Sequence, residues 1–160
     1  MTTQTTSPTT ARITQPAMAI PEAMAALQSV GAAIAATGIS KTTVGLVNMR
    51  ASQINGCAVC LEGHVREARA NGESDDRLVL LSAWRETPNF TDAERSALAL
   101  TEAVTRLADS SDPVPDSIWV DAARHYDENE LAALVLQIAN INLWNRLNVA
   151  TRQQAGVHTW

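Results

Sequence analysis

Three side chains carry the chemistry this sequence can do: Cys57, Cys60 and His64, in the run Arg50-Ala-Ser-Gln-Ile-Asn-Gly-Cys-Ala-Val-Cys-Leu-Glu-Gly-His64. They are the two cysteines of the chain and one of its three histidines. Spaced by three and four residues, they point within roughly 60° of one another on a helix that turns about 100° per residue. A dithiol and a base would therefore face one pocket. Asn55-Gly56 reads as the end of one helix and the turn into the next, which places both sulfurs within the first turn of the new helix. Unpaired backbone N–H groups and the helix dipole there favour thiolate over thiol. Two other readings compete. The cysteines could be a buried packing feature, since free Cys is often a small hydrophobe. A structural zinc site would need about four ligands, and one subunit offers three with no obvious fourth. A thioredoxin-type pair would follow a strand, and none is readable before Cys57.

The rest of the chain must hold that turn in place. At 160 residues it is of single-domain size. Hydrophobic residues make up 46% and aromatics only 4%, and the abundance of Ala and Leu favours packed helices over a β-rich fold. A net charge of -5 without a basic run argues against a nucleic-acid or anionic-membrane surface. The N-terminal stretch has neither an apolar core nor clustered positive charge, so it does not read as a secretory signal, and a cytoplasmic location is expected. No apolar segment approaches the ~20 residues of a membrane span. In a reducing cytosol a lone Cys pair is more often catalytic or metal-binding than structural.

In chain order, residues 1–17 read as a disordered leader, 18–155 as a helical domain and 156–160 as a tail. A first helix starts at Pro21 and stops before Gly38. Ser40 caps a second that runs to about Ile54, and a third spans about Cys57 to Ala70. Ser74-Asp75-Asp76 starts a helix expected to reach about Glu86, which Thr87-Pro88-Asn89 breaks. Thr91 and Glu94 form a capping box for a helix to about Ala108, with Leu98, Leu100 and Leu107 in its buried stripe. A short helix over about Asp116–Tyr126 follows, and Asp127 with Glu130 opens the last long one, to about Gln154. Asn140, Asn142, Asn145 and Asn148 interrupt that helix's apolar surface, either as interhelical hydrogen-bonding groups or as solvent-exposed ones. Trp84, Trp119 and Trp144 read as core or subunit-interface anchors. Trp160 lies in the tail, and His125 and His158 read as surface or capping residues.

The run Arg50 to His64, together with Trp84 to Glu102 and Trp144-Asn-Arg-Leu-Asn148, resembles the AhpD-like alkylhydroperoxidase group of the carboxymuconolactone decarboxylase superfamily over roughly residues 20–152. The resemblance implies an all-α AhpD-like helical bundle with the C-x-x-C at a helix start, assembled as a homo-oligomer, trimer or hexamer. It implies a thiol peroxidase or disulfide reductase in which Cys60 attacks the hydroperoxide, Cys57 resolves and His64 relays protons. The electron donor would be a dithiol such as that of a lipoylated protein, and no cofactor or metal is expected. Two positions depart from the family pattern. Gly45 stands where many members carry a relay glutamate, twelve residues before the first cysteine, and Val59 stands where some carry a histidine. Both departures bear on peroxidase efficiency. Glu67 or Glu62 could orient His64 instead, and Gln53 either donates into the pocket or caps the preceding helix. The rival functions are a non-redox decarboxylase-type member, which would work without its cysteines, and a non-enzymatic redox sensor or oligomeric binding module, which would oxidise reversibly without turnover.

Overall fold

The computed structural model describes residues 10–157. Among them are eight α-helices and no strand, as the composition predicted. These are α1 (Pro16–Ala19), α2 (Pro21–Ala36), α3 (Lys41–Asn55), α4 (Ala58–Ala70), α5 (Asp75–Leu80), α6 (Asp92–Thr105), α7 (Asp116–Ala123) and α8 (Glu128–Ala150). No helix among the described residues is long and apolar enough to cross a membrane.

Local chemistry sets the helix ends. The Ser40 hydroxyl accepts from Thr43 N at the start of α3. Reciprocal capping boxes open α6 at Thr91 and Glu94 and α8 at Asp127 and Glu130. At the other end of α3, Gly56 takes φ +66, a conformation that costs other residues more than glycine. Cys57 N then donates to Ser52 O at 3.0 Å and Gly56 N to Gln53 O at 3.4 Å, the paired bonds of a Schellman stop. This turn hands the chain directly to α4.

Helix α3 is the centre of the packing, lying against α4, α6 and α8. Its two sides serve two cores. Val47 packs with Leu100, Leu134 and Ile138, whereas Leu46 and Met49 join Leu81, Trp84 and Leu98. Each such buried side chain is worth about 1.5–3 kcal/mol relative to leaving it in water, so α3 is fixed from both sides. A buried carboxylate adds a polar staple. Glu102 on α6 accepts from Arg50 Nε of α3 at 2.7 Å, Trp84 Nε1 at 2.9 Å and Arg85 at 2.8 Å.

Several boundaries differ from those expected. The segment predicted as helix to Glu86 ends at Leu80 and continues as a 3-10 stretch over Leu81–Glu86, bent at Ala83. Arg95 of α6 donates to the freed carbonyls of Trp84, Arg85 and Thr87, each at 3.0 Å, which stabilises this tighter path. Helix α6 stops at Thr105, and the 3-10 turn Leu107–Asp109 leaves Leu107 54% exposed rather than in the stripe. Helix α7 stops at Ala123, short of Tyr126. Helix α8 ends at Ala150, because the Thr151 hydroxyl turns back onto Leu147 O at 2.7 Å and Arg152 takes a positive φ. Trp119 is exposed on α7, and His125 is also exposed. His158 and Trp160 lie outside the described residues.

The expected disordered leader also needs redrawing. Residues 1–9 of it lie outside the described residues, but Arg12 to Ala17 are docked on the end of α8. Arg12 N donates to Thr151 O at 2.9 Å, Arg12 Nη1 to Ala150 O at 3.0 Å, and Gln153 Nε2 to Ile13 O at 3.1 Å. Composition alone hides this segment, since it is anchored by hydrogen bonds to the distant end of α8 and not by an apolar stripe. Pro16 then opens α1, with buried Gln15 as its cap.

Candidate active site

Cys57 and Cys60 form a disulfide with their Cα atoms 5.4 Å apart. Cys57 is the cap residue of α4 and Cys60 its third residue, so the pair sits where α4 presents its unbonded N–H groups. The two sulfurs have different surroundings. Cys57 is 1% exposed, whereas Cys60, at 8%, lines a cavity of about 280 Å³. Met18, Met24, Val59, Ile141 and Trp144 make the apolar wall of that cavity. Its polar groups are Cys60, His64, Asn148 and Gln15.

The polar stripe of α8 pins the cysteine turn. Asn55 Nδ2 donates to Asn142 Oδ1 at 3.0 Å and to Asn145 Oδ1 at 2.9 Å. Asn145 Nδ2 donates to Ser52 Oγ at 3.0 Å, and Asn148 Nδ2 to Cys60 Sγ at 3.4 Å. Of the two readings of these asparagines, interhelical bonding therefore applies to Asn142, Asn145 and Asn148, all three buried. Asn140 is the exception: its Oδ1 is buried without a partner among the described residues.

His64 borders two spaces. Besides the cavity at Cys60, it lines a cleft of about 610 Å³ together with Gly45, Glu67, Lys41 and Asn48. Glu67 Oε2 is 3.5 Å from His64 Nδ1. The hydrogen bond to His64 outweighs the burial that opposes it and holds the Glu67 carboxyl below its usual range. Nδ1 thus faces the Glu67 carboxylate, and Nε2 is the ring nitrogen turned away from that contact. Glu62 faces elsewhere, accepting from Gly156 N at 2.9 Å and pairing with Arg66 at 3.9 Å. Gln53 accepts from Arg50 Nη1 at 3.0 Å and is not among the residues around the cavity at Cys60. Of the three side chains expected to support the site, only Glu67 reaches His64 here. At Gly45 an added Cβ would meet nothing within 4 Å, so the position of the family's relay glutamate opens onto the cleft.

Sequence reasoning missed Gln15, Met18, Met24 and the cavity role of Trp144. Two signals were present. Trp144 and Asn148 are four apart and so share a helix face, and Gln15 precedes a proline, the favoured first residue of a helix.

The fold and site define an all-α protein with a redox-capable Cys-x-x-Cys at a helix start. Residues 21–103 match the carboxymuconolactone decarboxylase family, and the chain belongs to that family, within its AhpD-like group. It is 37% identical over 135 residues to the uncharacterized protein YdfG of Bacillus subtilis, covering 84% of this chain and 90% of that one. It is 31% identical over 105 residues to the uncharacterized protein YnjA of Escherichia coli, covering 66% of this chain and 56% of that one. A crystal structure from Agrobacterium tumefaciens, described as a protein of unknown function and a candidate antioxidant defence protein AhpD, superposes with TM-score 0.85 at 36% identity. It covers 93% of this chain and all of its own. The debrominase Bmp8, in complex with 2,3,4-tribromopyrrole, shares the fold at TM-score 0.76 and 20% identity, over 88% of this chain and 74% of that one.

Proposed function

We propose that this chain is a thiol-dependent hydroperoxidase and disulfide reductase working through Cys60, Cys57 and His64. The observation that carries this reading is the asymmetry of the pair: Cys60 lines the cavity together with His64, while Cys57 is buried and does not line it. His64 takes the thiol proton of Cys60. The thiolate attacks the terminal oxygen of a hydroperoxide, forming an S–O bond as the O–O bond breaks. The leaving oxygen takes the proton from His64 and departs as alcohol, leaving a sulfenic acid on Cys60. Cys57 sulfur then attacks Cys60 sulfur, the S–O bond breaks, and hydroxide leaves as water with the Cys57 proton. The resulting disulfide accepts two electrons and two protons from a dithiol donor, for which the lipoyl group of a partner protein is the chemical class we propose.

Assembly into a trimer or hexamer belongs to the same proposal. It is supported by α8, which buries Leu134 and Ile138 on one side yet leaves Leu136 and Leu143 exposed on the other. Large apolar side chains exposed on the face opposite the core are the kind of surface that a second copy covers.

The test is rapid mixing of the reduced protein with hydrogen peroxide and an organic hydroperoxide, followed by mass spectrometry of the cysteines. Fast loss of two thiols into a Cys57–Cys60 disulfide, with repeated turnover on a dithiol, is expected. Full activity in a Cys57→Ser, Cys60→Ser double variant would favour decarboxylase-type chemistry, and oxidation without turnover would favour a sensor.

A further inference from the structure

We propose that Asn148 is the hydrogen-bond donor that holds Cys60 as a thiolate, and that Gln15, carried by the docked N-terminal segment, fixes the Asn148 amide in its donating orientation. The orientation is set at Gln15, not at the sulfur. An amide side chain can face either way round, and only its partners decide which end donates. Gln15 Oε1 accepts from two backbone groups, Ala17 N at 2.7 Å and Met18 N at 3.1 Å. Backbone N–H groups can only donate, so that end of Gln15 must be oxygen and the other end must be Nε2. Nε2 donates to Asn148 Oδ1 at 3.3 Å. The remaining end of Asn148 is therefore Nδ2, and it faces Cys60 Sγ at 3.4 Å.

The orientation is thus imposed by the first turn of α1 and transmitted through two amides to one sulfur. Gln15 is 4% exposed and Asn148 7%. Away from water, a donor aimed at an anion is worth more than at the surface. An N–H bond to the charged form lowers the pKa of the thiol that bears the charge. Among the described residues no side-chain donor is seen at Cys57 Sγ, so the amide pair also distinguishes which cysteine ionises. Asn148 is a catalytic residue in this proposal because it touches the reacting sulfur, and Gln15 is a positioning residue that acts through it.

The proposal deepens the thiol reading above but needs no peroxide for its test. The alkylation rate of Cys60 by iodoacetamide is measured against pH in the reduced Cys57→Ser protein, with modification located by mass spectrometry and folding checked by circular dichroism. Two near-isosteric changes are made in that background. Asn148→Asp replaces the donor by an acceptor. Gln15→Glu keeps an oxygen for Ala17 N and Met18 N but removes the donor to Asn148, so the Asn148 amide turns its oxygen toward Cys60. Each is expected to raise the midpoint by about one to two pH units, which lowers the thiolate fraction on the acid side of the profile roughly ten- to a hundredfold. Gln153→Ala, which removes the bond to Ile13 O but leaves both Arg12 bonds to the end of α8 and the amide pair in place, is the control and should leave the midpoint unchanged. Unchanged midpoints in both isosteric variants, or an equal rise with Gln153→Ala, would overturn the proposal. A parent that consumes no hydroperoxide would sink the peroxidase reading and leave this measurement standing.

Discussion

Replacing Glu102 by glutamine should loosen the junction between α3, α6 and the 3-10 stretch Leu81–Glu86. Its carboxylate, 8% exposed, accepts from Arg50 and Trp84 through one oxygen and from Arg85 through the other, and Arg106 lies 3.5 Å away. Glutamine preserves the shape but removes the negative charge and one acceptor oxygen. Arg50, with its side chain only 13% exposed, is then left without its counter-charge. Breaking a buried pair by removing one partner costs about 3–5 kcal/mol. The pair with Arg85, whose side chain is 55% exposed, adds at most about 1 kcal/mol because water screens it. For a chain of this size a loss of 3–5 kcal/mol corresponds to a melting temperature lower by roughly 6–20 °C. The pH dependence supplies an independent check. Burial alone would raise the Glu102 pKa, but hydrogen bonds from Trp84, Arg85 and Arg50 outweigh it and hold the group below its ordinary value of 4.5. A depressed carboxylate contributes its stability above the unfolded pKa and loses it as pH falls through the folded one. Urea unfolding of parent and Glu102→Gln should therefore differ most near neutral pH and converge as the pH falls through the lowered Glu102 pKa. A difference under about 1 kcal/mol at pH 7, or one that stays constant down to pH 3, would refute the reasoning.

Cys60→Ser should abolish the fast reaction with hydroperoxide, whereas Cys57→Ser should react once and stop with a sulfenic acid on Cys60, trapped by dimedone and seen by mass spectrometry. Gly45→Ala should stabilise α3 by about 0.5–1 kcal/mol in chemical unfolding, since the added Cβ meets open space in a helix interior. Gly45→Glu should place a carboxylate in the cleft lined by His64 and raise the peroxide rate at pH 7, by up to the roughly hundredfold or more that a positioned acid or base supplies. Glu67→Gln should lower that rate at neutral pH, where the parent's carboxylate is ionised against His64. The two rates should converge as pH falls through the lowered Glu67 pKa, because the parent then loses the same charge.

Much of the site was legible in the sequence because it rests on local geometry. The three-and-four spacing of Cys57, Cys60 and His64 is a statement about one helix, and the Asn55-Gly56 stop depends on one residue that tolerates positive φ. The capping boxes at Thr91 and Asp127 are equally local. Helix ends were less legible where a distant group decided them: Arg95 draws Leu81–Glu86 into a tighter helix from across the α6 interface.

The tertiary structure alone decided which of the two sulfurs meets a cavity. Spacing puts both cysteines at the start of α4, but which one meets a cavity depends on Met18, Met24 and Trp144 arriving from α1, α2 and α8. The same holds for the choice among polar neighbours: Glu62, Glu67 and Gln53 all lie within a few turns of the cysteines, yet Gly156 N occupies Glu62 and Arg50 occupies Gln53, leaving Glu67 for His64. Gln15 looked like part of a structureless leader because nothing near it in sequence could bury it. Its partner, Asn148, is 133 residues away, and only the folded chain brings the two amides together beside Cys60.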